Sequence, residues 1–126
     1  MLYCGEEICD SNPQTLFANR DHNCGHGVDW SNALLPHGKA RMALITELAS
    51  LRKAEDALAL GDMAWAETAD GVLGYTRSYG KETISVFINF SEASAAVPAE
   101  GRILLARNFA AGKLKPHGFV ICKQEA

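Results

Sequence analysis

The run Gly71-Val72-Leu73-Gly74-Tyr75-Thr76-Arg77-Ser78-Tyr79-Gly80-Lys81-Glu82-Thr83-Ile84-Ser85-Val86-Phe87-Ile88-Asn89-Phe90 reads as two strands around a tight turn. Val72, Gly74 and Thr76 alternate with Leu73, Tyr75 and Arg77, which is the period of a strand with two different faces. Tyr79-Gly80 marks the connection, and Asp70-Gly71 marks another just ahead of it. The second arm is rich in β-branched and aromatic residues, so Thr83–Phe90 is expected to be the central strand. Ile84, Val86 and Ile88 would bury one face of it, or their neighbours the other. Working outward, Ala64–Thr68, Arg102–Leu105 and Gly118–Lys123 are short strand-like segments bounded by turn residues. Successive antiparallel hairpins follow, with no internal repeat and no low-complexity stretch.

Upstream of Gly61 the period changes. Leu44, Leu48, Leu51 and Leu58 recur at helical spacing between Lys39 and Leu60, with Ala40, Ile45 and Ala54 widening the stripe. Arg41, Glu47, Arg52, Lys53, Glu55 and Asp56 take the other side, so one amphipathic helix is expected, stopped by Gly61 in the left-handed C-terminal position. Asp10 to Gly38, rich in Asn, Asp, His, Gly and Pro, has neither period and reads as a long loop of the kind that serves as a lid or binding segment. Leu16, Phe17, Val28, Trp30, Leu34 and Leu35 are its anchors to a neighbouring surface. At the N-terminus the apolar pair Leu2-Tyr3 runs into Cys4-Gly5 and then the carboxylates Glu6 and Glu7. A buried parallel strand ends this way when it delivers polar side chains to a functional rim. A complete (β/α)8 barrel takes on the order of 250 residues, and this chain has 126. The expected division is therefore residues 1–61 as one βα unit with its loop, and residues 62–126 as an antiparallel β-sandwich.

Bulk properties narrow the partners. The net charge is −3 with Lys and Arg scattered, which supplies no basic field for a phosphate backbone, so nucleic acid is excluded as a partner. No apolar run reaches the roughly 18 residues that span a bilayer, and no secretory signal precedes the fold, so no membrane partner and a cytoplasmic location are expected. Cys4, Cys9, Cys24 and Cys122 are then read as reduced thiols.

Several clusters have the residue types of a site. Glu6 and Glu7 are adjacent, so in an extended chain they point to opposite faces and do not form an acid/base pair on one substrate; one faces a site and the other the packing, or both are solvated. Cys9, His22, Cys24 and His26 offer zinc-ligating atoms, yet their spacing fits no usual zinc knuckle, so no metal is assigned. Asn19, Arg20 and Asp21, followed by His22, form a dense polar knot able to hydrogen-bond sugar hydroxyls or, equally, to cap the loop locally. Trp30 and Trp65 suit either a pyranose face or a core or interface position. No glycine-rich phosphate loop is present.

With these residues in view, the chain resembles the C-terminal part of the α-amylase family, glycoside hydrolase family 13. Leu2-Tyr3-Cys4-Gly5-Glu6-Glu7-Ile8 is similar to the family's strand-eight signature. Asn19-Arg20 through Val28-Asp29-Trp30-Ser31, followed by the helix ending Glu47-Leu48-Ala49-Ser50-Leu51-Arg52, resembles the loop and eighth barrel helix of α-glucosidase-like members. Gly74-Tyr75-Thr76-Arg77 and Ile84 to Phe90, with Asn89-Phe90-Ser91, resemble the C-terminal antiparallel sandwich.

The resemblance implies a mainly β chain with one long helix: a Greek-key-like sandwich preceded by the last βα unit of a truncated barrel. It further implies a parent that hydrolyses or transfers α-glucosides with retention through three carboxylates. Those belong to earlier barrel strands, so no catalytic residue is assigned here and the chain is expected to be inactive alone, with no cofactor. Glu7, Asn19, Arg20 and Asp21 remain as substrate-rim candidates. The glycine and proline that usually precede the signature are absent, which places Met1 at a truncation or at a start within the motif. The alternative is a non-catalytic module that binds α-glucan or another subunit. Its exposed helix face would then form a homodimer or dock a separately encoded barrel, since buried leucines contribute at about 25 cal/mol per Å².

Overall fold

A computed structural model of the chain describes residues 6–8 and 30–124. The fold divides into two compact units, Met1–Ser50 and Leu51–Ala126.

In the first unit Glu6–Ile8 is a 3-10 turn that packs against a second 3-10 helix, Trp30–Leu34. The long helix α1 follows over Pro36–Ala54. It starts three residues before the expected Lys39. Proline fits the first helical position because its fixed φ suits the helix and its missing N–H has no partner there to lose. Gly38 is buried, and any Cβ at that position would stand 1.9 Å from the Asn32 carbonyl oxygen, so the 3-10 helix lies directly on the helix backbone. Proline and glycine, which read as loop markers, are here the residues that let α1 begin.

The second unit is an antiparallel sheet with a short helix on it. The helix is α2, Asp56–Leu60, and the strands are β1 Asp62–Trp65, β2 Val72–Tyr79, β3 Glu82–Asn89, β4 Ala95–Ala96, β5 Arg102–Ala110 and β6 Lys113–Lys123. The hydrogen-bonded order is β1-β2-β3-β6-β4, with β5 on the other edge of β6. Strand β3 is central, as its composition predicts, pairing Gly74 with Phe87 on one side and Phe87 with Val120 on the other. The jump from β3 to β6 across two intervening strands gives the sheet its Greek-key character.

Both faces of β3 are buried from Ile84 to Phe87. On one face Val72, Phe87, Val120 and Cys122 meet Val97 and Leu114 in the main core, with Ala66, Ala95, Ala99, Ala106 and Phe109 packed against it. On the other, Ile84, Val86 and Ile121 are buried, and α2 rests on β2 and β3 through the buried Ala57. Gly74 makes room for this core, because a Cβ there would come within 2.9 Å of the Phe87 ring and 2.6 Å of Thr68 Cγ2.

Strands β5 and β6 are longer than their sequence readings. Ala111 and Gly112 both take positive φ (48° and 74°) and close a two-residue hairpin, which twists the way the flanking strands do. Asn108, Pro116, His117 and Gly118 look like strand breakers but are absorbed where the register shifts between Arg107 and Phe109; Asn108 and His117 adopt φ of 52° and 56° there. Gly118 is needed for space, since its Cβ would lie 2.6 Å from the Asn108 carbonyl oxygen. Strand β1 begins and ends earlier than Ala64–Thr68, and β4 has no sequence signature at all.

Phe87→Ala should lower the unfolding free energy by about 3 kcal/mol in urea titrations, the usual cost of deleting a fully packed ring. Gly74→Ala should also destabilise, by roughly 1–3 kcal/mol of overpacking; if either variant unfolds at the wild-type midpoint, the core assignment is wrong.

Candidate functional site

Among the substrate-rim candidates only Glu7 falls within the described residues; Asn19, Arg20 and Asp21 lie outside them, as do Cys4, Cys9, Cys24, His22 and His26. Glu7 sits half-buried in the 3-10 turn, beside the fully buried Ile8. The extended geometry expected at Glu6 and Glu7 is thereby corrected. In a 3-10 helix successive residues are about 120° apart, so neighbours do not alternate between opposite faces. Trp30 and Trp65 are both exposed, at 57% and 68%, so neither is a core residue; Trp65 makes an edge-to-face contact with Tyr75 at 6.3 Å. No group of metal-ligating side chains occurs among the described residues.

Among the described residues the densest set of charged groups lies where α2 meets the end of the sheet. Lys123 at the end of β6 donates from Nζ to Glu55 Oε2 at 2.7 Å and to Glu82 Oε1 at the start of β3. Glu82 accepts a second bond through Oε2, from the Ala57 N–H at 2.6 Å, and Arg102 on β5 approaches Glu55 at 3.8 Å. The side chains of Glu55, Glu82 and Lys123 are 12%, 19% and 29% exposed, so water screens this cluster less than a surface pair. The bond from Lys123 and then the Ala57 N–H hold the Glu82 carboxyl below its ordinary value of 4.5. Hydrogen bonds to Glu55 and then Glu82 hold Lys123 above 10.5. Both carboxylates are engaged in holding structure, and a carboxyl made this acidic is poorly suited to deliver a proton near neutrality.

This cluster escaped the sequence reading. Glu55 and Asp56 looked like one solvated helix face, and Glu82 and Lys123 stood at the ends of separate strands. The available signal was the pairing of β3 with β6, which sets Ile84 opposite Lys123 and so brings Glu82 within diagonal reach.

Two further polar groups are structural. Asn89, 1% exposed, donates from Nδ2 to the carbonyls of Ala93, Lys115 and Leu114 at 2.7, 3.2 and 3.3 Å, and its Oδ1 accepts from the Ser91 N–H and hydroxyl, so it organises the exit from β3. Cys122 is a free thiol inside the main core, 3.7 Å from the Ser85 carbonyl oxygen, and burial, then the negative charge of Glu100, push its pKa upward. A buried thiol held protonated is not a nucleophile.

The pH dependence follows from these directions. The contribution of Glu82 is present above its unfolded value of 4.5 and is lost as pH falls through its lower folded value. That of Lys123 is present below 10.5 and is lost as pH rises through its higher folded value. Thermal midpoints should form a plateau through neutrality and fall at both extremes. In Lys123→Met the alkaline fall should shrink and the acid limb should move toward higher pH; unchanged limbs would show that the cluster is not coupled to folding.

No protein-family model matches the chain. A cyclomaltodextrinase of Geobacillus thermopakistaniensis is 29% identical over 141 residues, a match covering 99% of this chain and 23% of that enzyme. A putative α-amylase from Salmonella typhimurium superposes on 97% of this chain with a TM-score of 0.72 at 22% identity, using 27% of its own length. A family GH13_31 enzyme covers 68% of this chain at a TM-score of 0.58 and 23% identity, with 16% of its length. The chain thus spans about a quarter of the length of the curated relative it matches. Its mainly antiparallel sheet with one long helix has the fold of the C-terminal β domain of α-amylase-family (glycoside hydrolase family 13) enzymes, and its sequence is similar to that of the cyclomaltodextrinase.

Proposed function

We propose that this chain is the C-terminal portion of a retaining α-glycosidase of the α-amylase family, which acts on α-glucosides only as part of a full-length protein and is inactive alone. The observation that carries the reading is the alignment of nearly the whole chain with about a quarter of a cyclomaltodextrinase. The chemistry of the charged cluster agrees with it. Glu82 and Glu55 are tied to Lys123, and Glu82 also to the backbone, so neither is poised as nucleophile or acid/base. Residues 1–61 would then be the barrel-derived βα unit and residues 62–126 the sandwich, with α-glucan contacted only in the presence of the barrel and Glu7, Asn19, Arg20 and Asp21 at its rim. A reducing, cytoplasmic setting suits the free thiol of Cys122. Incubated with maltose, maltooligosaccharides and a chromogenic α-glucoside, the purified chain should give no turnover above buffer; hydrolysis abolished by Glu7→Gln would overturn the reading.

A second reading, an interaction module, rests on α1. Leu44, Ile45, Leu48 and Leu51 are only half-buried, and Leu35 and Met42 are 44% and 40% exposed. Among the described residues no helix is long and apolar enough to cross a membrane, and we read this stripe as a protein-facing surface. It would be covered in a homodimer or against a separately encoded barrel. Light scattering across a concentration series should give a dimer mass that falls to the monomer in Leu48→Glu; a monomer at every concentration would remove the homodimer.

A further inference from the structure

The sequence carries one helix to Leu60, yet the chain breaks it at Glu55, which has φ −116° and ψ 108°. No helix breaker accounts for the break. Arg52 to Leu60 contains neither glycine nor proline and, Asp56 apart, is built of good helix formers. Glu55, at the N-cap of α2, makes no capping bond with its own side chain. In an unbroken helix the Ala57 N–H would bond the carbonyl four residues earlier, at Lys53. Here it donates instead to the Glu82 carboxylate, which is borne on β3 and held by Lys123 from β6. At the far end of α2 the carbonyls of Leu58 and Ala59 accept bonds from the Arg52 guanidinium at 2.5 and 3.5 Å, so the last turn of α1 folds a clamp over the break.

We propose that Glu82, fixed by Lys123, is a tertiary helix cap: it cuts the helix at Glu55 and makes Arg52–Gly61 an elbow that exists only when β3 and β6 are paired. Without that pairing the segment is one continuous helix to Leu60. The exchange is favourable because a charge-assisted bond replaces an ordinary amide bond, and because α2, once turned, lays Ala57 on the sheet. Lys123 from β6, Glu55 at the break, Arg102 from β5, Arg52 from α1 and Asp56 in α2 are the charged groups surrounding the elbow. Gly61 completes it. Its φ of −68° and ψ of 155° are extended rather than left-handed, and glycine is required because a Cβ would meet the carbonyl oxygens of Ala57 and Ser78 at 2.5 and 2.8 Å.

Backbone NMR of the full chain tests this, with the amides of Val86 and Val120 reporting on the sheet. In Glu82→Ala the Glu55 Cα resonance should move from the extended to the helical range, and medium-range helical contacts should run through residues 52–58. In Glu82→Gln, whose amide oxygen still accepts the Ala57 N–H, the break should persist. An extended Glu55 in Glu82→Ala with Val86 and Val120 still protected overturns the proposal. If Glu82→Ala does not fold, acid titration of the wild-type chain decides: the Ala57 amide proton must shift together with the Glu82 carboxyl while the sheet stays protected, and an Ala57 amide indifferent to that titration also overturns it.

Discussion

Everything in the sheet unit depends on the antiparallel pairing of β3 with β6. It joins residues roughly thirty to forty positions apart, so the chain must close a long loop before any contact rewards it. What offsets that cost is two-sided burial. A single register sets Phe87 beside Val120 and Ser85 beside Cys122 on the main-core face, and Val86 beside Ile121 on the other. A slip by one residue would exchange the faces and present the wrong set to each layer. The same register brings Lys123 next to Glu82, so the core and the charged cluster are consequences of one alignment.

The two faces are finished differently. One is closed by the crossover between β3 and β6: β4 and the Val97–Ala99 segment lie over it, and Asn89 ties the crossover's first turn to the carbonyls of Leu114 and Lys115. Satisfying a buried amide with main-chain carbonyls gives that turn a unique geometry, since any alternative leaves polar groups unpaired in the interior. The second face is only partly closed. Helix α2 covers Ile84 and its neighbours, whereas Leu73, Met63 and Trp65 remain 36%, 50% and 68% exposed along the β1–β2 edge. Apolar side chains gathered along one exposed edge in this way form a surface on which another protein surface can pack.

Local pattern was legible where packing and propensity agree. Residues Glu82–Asn89 were read nearly to their ends because β-branched and aromatic residues fill both faces of a central strand. Arg102–Ala110 and Lys113–Lys123 were read short because Asn108, Pro116, His117 and Gly118 carry turn chemistry, while the structure spends them on bulges inside a longer hairpin. Gly61 was read for its backbone freedom and is there for its size. The rim candidate Glu7 was legible as a carboxylate following an apolar segment, but not as part of a 3-10 turn, because a single short turn has no periodicity to detect.

The sequence by itself determined the antiparallel hairpins, the central place of β3, the apolar stripe of α1 and the resemblance to the α-amylase family, because these are written in alternation, helical period and motif order. Tertiary structure alone decided where the long helix breaks, how Glu55, Glu82 and Lys123 come to share charge, and which glycines serve space rather than φ. The physical reason is that each depends on atoms brought together by packing between elements: the β3–β6 register joins Lys123 to Glu82 and so sets the break, while Gly74 meets Phe87 across β2–β3 and Gly61 meets Ser78 on β2.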